Sequence, residues 1–338
     1  MIAMADFLNQ IVYREAWLTL EALDAGDLPP YTGSMLRGAL GHLLRPALCD
    51  GPGCGHDCQR PDACRYYSLF ERSRTATGRN APKPLIMEPP ISEDWESIAL
   101  GGPVTLPFRS GAPAAGETVP TLRNDHVLRI GPQTLLRTGI RLLGPASIAL
   151  GGIIDVIGRQ GINAGGVRFL LSSARDGTGR LLYDRRFPLV PAQMPVLMRM
   201  AAEQERARRI RIVFQTPTVL KLERKATFDP VDFASRFFEH SLARAVQVHE
   251  CLMGQPRLPW MDPPAVRVRI AGHRLFHYLL PRHSYRQDKW MDFDGMVGYL
   301  DLEGDLDAGM PFARAAEVLH FGQKAAFGLG KVRVLVLE

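Results

Sequence analysis

The sequence predicts an α+β protein built from two ferredoxin-like modules in tandem, and three observations carry that expectation. The chain has 338 residues, long for one hydrophobic core and suited to two. Each half mixes a few strand patterns with about two helical ones, in the order of a split βαβ unit. Between Pro191 and Arg208 a Met- and Ala-rich stretch gives way to the basic cluster Arg206, Arg208, Arg209 and Arg211. The modules are therefore drawn at 1–200 and 205–338. A single larger α+β domain is the alternative that these elements allow.

In the first module, Ile11 to Ala22 alternates as a strand, and Asp24 to Pro30 forms a turn. From Gly33 to about Leu44, Met35, Leu36, Ala39, Leu40, Leu43 and Leu44 recur at helical spacing, which leaves Gly38, His42 and Arg45 on the opposite face. Residues 49–64 form a cysteine-rich insertion, and 72–125 reads as irregular connections over short strands. Leu135 to Leu143 predicts a strand, Pro145 to Ile157 a helix with proline in its first turn, and Val167 to Leu171 a strand.

In the second module, Ile210 to Phe214 and Val219 to Leu222 predict strands. Asp229 followed by Pro230 caps a long helix reaching about Leu252. Strands at Val266 to Ile270, Met296 to Glu303 and Val332 to Leu337 follow, with a helix from Pro311 to His320 before the last.

Composition limits the function classes. With 46% hydrophobic and 22% charged residues the chain has the make-up of a soluble globular protein. Its apolar runs break well before the roughly 18 residues a membrane span needs, and no basic stretch precedes an apolar one at the N-terminus. No membrane partner is expected, and a cytoplasmic location follows. There are 41 Lys and Arg against 35 Asp and Glu, a formal net charge of +6, which favours an anionic partner such as a nucleic-acid backbone.

The segment 320–331 sharpens this. Gly322, Gly328 and Gly330 leave backbone N–H groups uncovered by side chains, with Lys324, Lys331 and Arg333 beside them and His320 at their start. The same glycines would also serve a tight hairpin. The spacing lacks the Gly-Lys-Ser/Thr of a Walker loop, so an RNA or DNA backbone fits better than nucleotide hydrolysis.

Cys49, Cys54, Cys58 and Cys64 are separated by four, three and five residues, with His56 as a substitute ligand. Four thiolates in so short a loop can close a tetrahedral structural zinc site that leaves no open position for water. Free thiols in an incidental cluster are the alternative. Cys251 stands alone.

Together, Tyr31-Thr-Gly-Ser-Met-Leu-Arg-Gly-Ala-Leu-Gly-His42, the four-cysteine cluster closing on Cys64-Arg-Tyr-Tyr-Ser-Leu-Phe70, Lys83-Pro-Leu-Ile-Met-Glu-Pro89, Ser284-Tyr-Arg-Gln287, Gly295-Met-Val-Gly298 and the terminal Phe327-Gly-Leu-Gly330 resemble the CRISPR-associated precursor-crRNA processing endoribonucleases of the RAMP superfamily. The resemblance spans nearly the whole chain, and the cysteine cluster marks a subset of the family. It implies tandem ferredoxin-like, RRM-like domains and metal-independent cleavage within CRISPR repeats. A ribose 2′-OH would attack the adjacent phosphate, leaving a 2′,3′-cyclic phosphate and a 5′-OH. The implied partners are CRISPR repeat RNA or crRNA and subunits of a CRISPR effector. No cofactor is implied for catalysis.

Such chemistry needs a base near the 2′-OH, an acid near the departing 5′-oxygen and stabilisation of the charged transition state. His42 lies on the polar side of the first helix and is the leading proton carrier. By position in the family, Tyr31, Arg37, His42 and Arg45 match a catalytic histidine with a nearby tyrosine and basic residues. An arginine stays protonated, so Arg37 or Arg45 would clamp phosphate rather than shuttle protons. His42 as a plain surface residue and Tyr31 as a turn anchor are the bland reading.

His320 ranks second, as an RNA contact, beside His273, His277 and His283. Arg209, Arg211, Arg282 and Arg286, with Arg206, Arg208, Lys221, Arg224 and Lys225, are candidates for a groove holding a hairpin stem, and Tyr285 and Trp290 for stacking on bases. A solvated face is the default reading of the basic residues, and core packing is the alternative for Tyr285 and Trp290. A non-cleaving RNA-binding effector subunit, and a zinc-stabilised regulator unrelated to CRISPR, are the competing functions.

Overall fold

A computed structural model describes residues 6–49, 58, 60, 63–72, 74, 78, 80–105, 107–124, 127–187, 190–201, 205–223, 225–256, 258, 266–284 and 289–338, with backbone alone for 281–284 and 289–292. In chain order the main elements are β1 (Val12–Ala22), α1 (Gly33–Leu48), β2 (Leu85–Glu88), α2 (Glu93–Ala99), β3 (Phe108–Pro113), β4 (Pro120–Asn124), β5 (Leu135–Leu143), α3 (Leu150–Gln160), β6 (Val167–Asp176) and β7 (Leu181–Asp184). The second half adds β8 (Arg209–Thr218), α4 (Pro230–Leu252), β9 (Val268–Tyr278), β10 (Gly295–Gly304), α5 (Met310–Leu319) and β11 (Val332–Val336).

The first sheet runs β7-β6-β1-β5-β2 and the second β11-β8-β10-β9-β4-β3. Within each, four strands and two helices repeat one pattern: the first strand lies between the fourth and the third, and the second sits outside the third. This is the ferredoxin-like βαββαβ order, so the fold is α+β with that unit in tandem. The division is not clean in sequence. β3 and β4 come from the first half yet extend the second sheet, where Thr121 and Leu122 pair in parallel with His277 and Tyr278.

Alternation explains each layer. In β1, Ala16, Leu18, Leu20 and Ala22 are buried beneath Leu36, Leu40 and Leu44 of α1 and Ile153, Ile154 and Ile157 of α3. In β8, Ile210, Ile212 and Phe214 are buried beneath Phe233 and Phe237 of α4 and Ala313 and Ala316 of α5. A third apolar cluster seals the halves together. Phe7, Leu8, Ile11, Tyr13, Ile86 and Leu143 meet Leu242, Ala245 and Val248 of α4 and Phe312, Ala315 and Leu319 of α5.

α4 starts where the sequence places it. The Asp229 carboxylate accepts the Val231 N–H at 2.8 Å and Pro230 stands in the first turn, a cap worth about 1 kcal/mol. The helix expected from Pro145 opens instead as a 3-10 turn, Gly144–Ala149, before α3 begins at Leu150. α2 was not anticipated within 72–125; Ser92 caps it by accepting the Trp95 N–H at 3.2 Å. Among the described residues, no helix is long and apolar enough to cross a membrane.

Candidate functional site

The 320–331 segment leaves α5, turns through a short 3-10 helix, Ala325–Phe327, and enters β11. Gly322, Gly328 and Gly330 all have positive φ. A Cβ on Gly328 would collide with Met87 and Pro89, and one on Gly330 with the Phe321 carbonyl. The expectation of uncovered N–H groups is corrected at three positions. Gly328 N–H donates to Ala325 O at 2.8 Å, Gly330 N–H to Pro217 O at 3.0 Å, and Lys331 N–H to the Thr216 hydroxyl at 2.8 Å. Thr216 in turn donates to Gly328 O at 2.8 Å. These glycines let the loop fold tightly on β8, and that folding consumes the donors.

α1 meets the loop through its first turns. Tyr31 donates its hydroxyl to Phe327 O at 2.8 Å, and Gly33 sits against the same carbonyl with no room for a Cβ. Burial, and then Glu88 nearby, push the Tyr31 hydroxyl well above its ordinary pKa, so it keeps its proton. Arg37 donates to Phe70 O at 3.0 Å, and its guanidinium lies 5.2 Å from the Phe70 ring centroid and 4.9 Å from that of Phe327.

A buried ionic cluster lies beneath this contact and crosses between modules. The Glu88 carboxylate, at the end of β2, meets Arg141 Nη1 at 2.9 Å, His320 Nε2 at 3.1 Å and Lys331 Nζ at 2.8 Å. Arg141 also binds Glu15 Oε2 through Nε at 2.9 Å and Nη2 at 2.7 Å, and donates to Val318 O at 2.6 Å. Burial alone would raise the Glu88 carboxyl. Arg141, His320 and Lys331 outweigh it and hold the group well below the usual carboxylate range.

His320 is 1% exposed, and its other ring nitrogen faces Leu329 O at 2.9 Å. Both nitrogens thus face oxygen acceptors, Glu88 Oε1 on one side and Leu329 O on the other. Its backbone has φ 61° and ψ 150°, a region residues with a Cβ rarely enter. The expectation of an RNA contact at His320 meets a side chain enclosed at the module junction.

The four residues expected to act together separate into two pairs. Tyr31 and Arg37 are committed to the loop. His42 and Arg45 are exposed with Gly38 on the far stripe of α1, His42 lying about 140° around the helix from Arg37. Tyr31 precedes the helix and does not join that stripe.

The basic residues divide as well. Arg211 makes a two-pronged bond to Asp301, at 2.7 and 2.9 Å, and stacks on Tyr299 at 3.8 Å. Arg209 reaches Asp301 at 3.5 Å, Lys324 Nζ lies 4.1 Å from the Phe293 ring centroid, and Arg333 is exposed. His277 is buried between Glu117, at 2.7 Å, and Asp294, at 3.8 Å, and stacks on Phe228. Arg224, Tyr285 and Arg286 lie outside the described residues, as do Cys54 and His56, and Arg282, His283 and Trp290 are described by backbone alone.

Cys49, Cys58 and Cys64 are half-buried against the first core, and Cys64 Sγ accepts the Tyr67 N–H at 3.3 Å. Among the described residues, no group of three His, Cys, Asp or Glu side chains is gathered to hold a metal ion.

Sequence reasoning missed Glu88, Arg141 and Glu15. Their signal was a carboxylate in the apolar run Leu85-Ile-Met-Glu88 and an arginine within the apolar strand Leu135 to Leu143.

Comparison with known proteins bears on both halves. Residues 212–332 match the family model of the CRISPR-associated endoribonuclease Cas6, and residues 10–109 match that of the AF_1859_N N-terminal domain. An uncharacterized protein of Archaeoglobus fulgidus is 24% identical over 312 residues, covering 91% of this chain and 92% of that protein. Two solved Cas6 product complexes align with TM-scores of 0.50 at 16% and 15% identity, each over 96% of this chain and 99% of that one. A partial Cas6-RT-Cas1–Cas2 complex aligns with TM-score 0.51 at 12% identity, over 96% of this chain and 46% of that one. The Cas6 match covers residues 212–332, which hold the glycine-rich loop, and the tandem ferredoxin-like fold is shared with these Cas6 structures over nearly the whole chain.

Proposed function

We propose that the protein is an endoribonuclease that cleaves precursor CRISPR RNA within its repeats without a metal ion. The observation that supports it most directly is the docking of the glycine-rich loop, which closes the Cas6-matched region, onto Tyr31 and Arg37 of the first module. In this reading the RNA 2′-oxygen attacks the neighbouring phosphorus, the bond to the 5′-oxygen breaks, and a 2′,3′-cyclic phosphate and a 5′-OH result. His42, free on the exposed stripe of α1, takes or gives the proton, and Arg45 one turn on clamps the phosphate. Tyr31 and Arg37, both engaged, hold the loop that carries the RNA. The proposed partners are repeat RNA and, as with the Cas6-RT-Cas1–Cas2 complex that the fold resembles, other Cas proteins.

The test is cleavage of a labelled repeat RNA in EDTA by the protein and by His42→Ala, beside a substrate with a 2′-deoxy nucleotide at the cut. Cutting lost with either change supports the mechanism. Tight binding without cutting by the unaltered protein replaces it with a non-catalytic crRNA-holding subunit, and cutting that survives His42→Ala moves the proton transfer elsewhere. We further propose a structural zinc on Cys49, Cys54, Cys58 and Cys64. Metal analysis of the purified protein and of Cys64→Ser checks it; no zinc in the unaltered protein refutes it.

A further inference from the structure

α4 carries a cation that the site above does not use. Among the described residues, no hydrogen bond or ion pair engages Arg244, and its Nε is enclosed without a partner. Burial alone lowers its pKa to about 10; no charged neighbour contributes. Arg141, more deeply buried, is by contrast held by two carboxylates. An enclosed guanidinium nitrogen with no counter-charge is unfavourable, and an arriving anion offsets that.

The surroundings say which anion. His240, Arg244 and Gln247 share one stripe of α4, spaced four and three residues apart. At one end the His240 ring meets Phe321, the second residue of the glycine-rich segment, at 6.3 Å. At the other, Gln247 donates to Asn80 O at 3.0 Å, and Asn80 pairs with Arg74, whose side chain is exposed. The stripe thus leads from the root of the loop to the Arg74–Asn80 bridge. Arg244 is half-buried as a residue, so its end is reachable from solvent. A planar guanidinium fork matches two oxygens of one phosphate.

We infer that Arg244, flanked by His240 and Arg74, is a subsite for a backbone phosphate of the RNA strand running away from the glycine-rich loop. This rests on the RNA-processing reading above. The experiment compares the protein with Arg244→Met and Arg244→Lys in repeat-RNA binding across a salt series and in thermal unfolding. Arg244→Met should weaken binding about tenfold, equivalent to about 1.4 kcal/mol. It should also make the log–log salt dependence shallower by about one. Its melting temperature should hold or rise, because the enclosed unpaired charge is gone. Arg244→Lys should restore the salt slope.

Unchanged affinity and slope in Arg244→Met overturn the subsite while leaving RNA binding by the protein intact, and a fall in melting temperature alongside them assigns Arg244 to structure. If the unaltered protein binds no RNA, the underlying reading has failed. Tripolyphosphate then judges the subsite alone: a rise in melting temperature absent from Arg244→Met supports it, and no difference overturns it.

Discussion

The two modules place a charged pair at the same point of the same topology and treat it differently. In the first, Glu15 on the first strand lies opposite Arg141 on the third; in the second, Arg211 on the first strand lies opposite Asp301 on the third, the charges exchanged. The first pair is covered by the second module, whose Val318 carbonyl, His320 and Lys331 complete it. The second pair lies on a sheet face where Arg211 stays 27% exposed, with Tyr299 and Arg209 around it. One module's open face has become the socket for the other's glycine-rich loop. The equivalent position in the second remains partly accessible, so position in the fold does not set what a charge pair is worth; its covering does.

The sharpest way to break this comparison is to remove one arginine from each pair. Arg141→Met leaves Glu15 and Glu88 enclosed without their shared cation and should cost about 3–5 kcal/mol. Arg211→Met should cost less, about 1 kcal/mol, because water reaches the Arg211 end and Arg209 stays beside the buried Asp301. Chemical denaturation of both variants measures the gap; equal losses would show that coverage is not the deciding variable.

Acid sharpens it further. The Glu88 carboxyl titrates well below its ordinary range in the folded protein, so the folded state binds fewer protons than the unfolded one as that range is crossed. Its contribution is therefore complete above the ordinary carboxylate range and is lost as pH falls through its lowered folded value. Glu88→Gln should lose about 2–3 kcal/mol near neutral pH, since Arg141, His320 and Lys331 lose the charge they share. Its stability should also fall less steeply in acid. A residual slope stays in the variant, because Asp176 is held near 2 by Thr178, Arg180 and the Val196 N–H against the opposing effect of burial. Parallel acid curves for the two proteins would contradict the assignment of the cluster to Glu88.

Which parts of this were legible in the sequence follows from the range of the interactions. The alternation of Ala16, Leu18, Leu20 and Ala22, and the Asp229-Pro230 start of α4, are local signals and led directly to the elements found. The pairing of β4 with β9 joins residues more than 150 apart and leaves no mark on either segment. The same holds for the candidate site. His42 and Arg45 were rightly placed on the exposed side of α1, because helical periodicity decides that alone. His320 was expected to meet RNA because nothing local reveals Glu88, 232 residues away in sequence, at the other end of its hydrogen bond. The glycines of 328 and 330 announced a tight loop, but only the fold shows that Pro217 and Thr216 consume its donors.

The smallest expected effect tests whether the socket and the glycine-rich loop are coupled. Tyr31 adds a single hydrogen bond, to Phe327 O, and does so outside the ionic cluster. Tyr31→Phe keeps the ring and its packing, so its stability loss should be about 1 kcal/mol. The Phe327 carbonyl then loses the partner that ties it to α1, while Thr216 still holds the loop at Gly328. RNA affinity should fall by more than the small stability loss accounts for, because a loop with more freedom must be ordered again on binding. Equal affinity for repeat RNA in Tyr31→Phe would show that the Glu88 cluster fixes the loop unaided and that Tyr31 serves only the start of α1. A loss confined to cleavage, with binding unchanged, would instead place the Tyr31 hydroxyl nearer the reacting phosphate than its bond to Phe327 indicates.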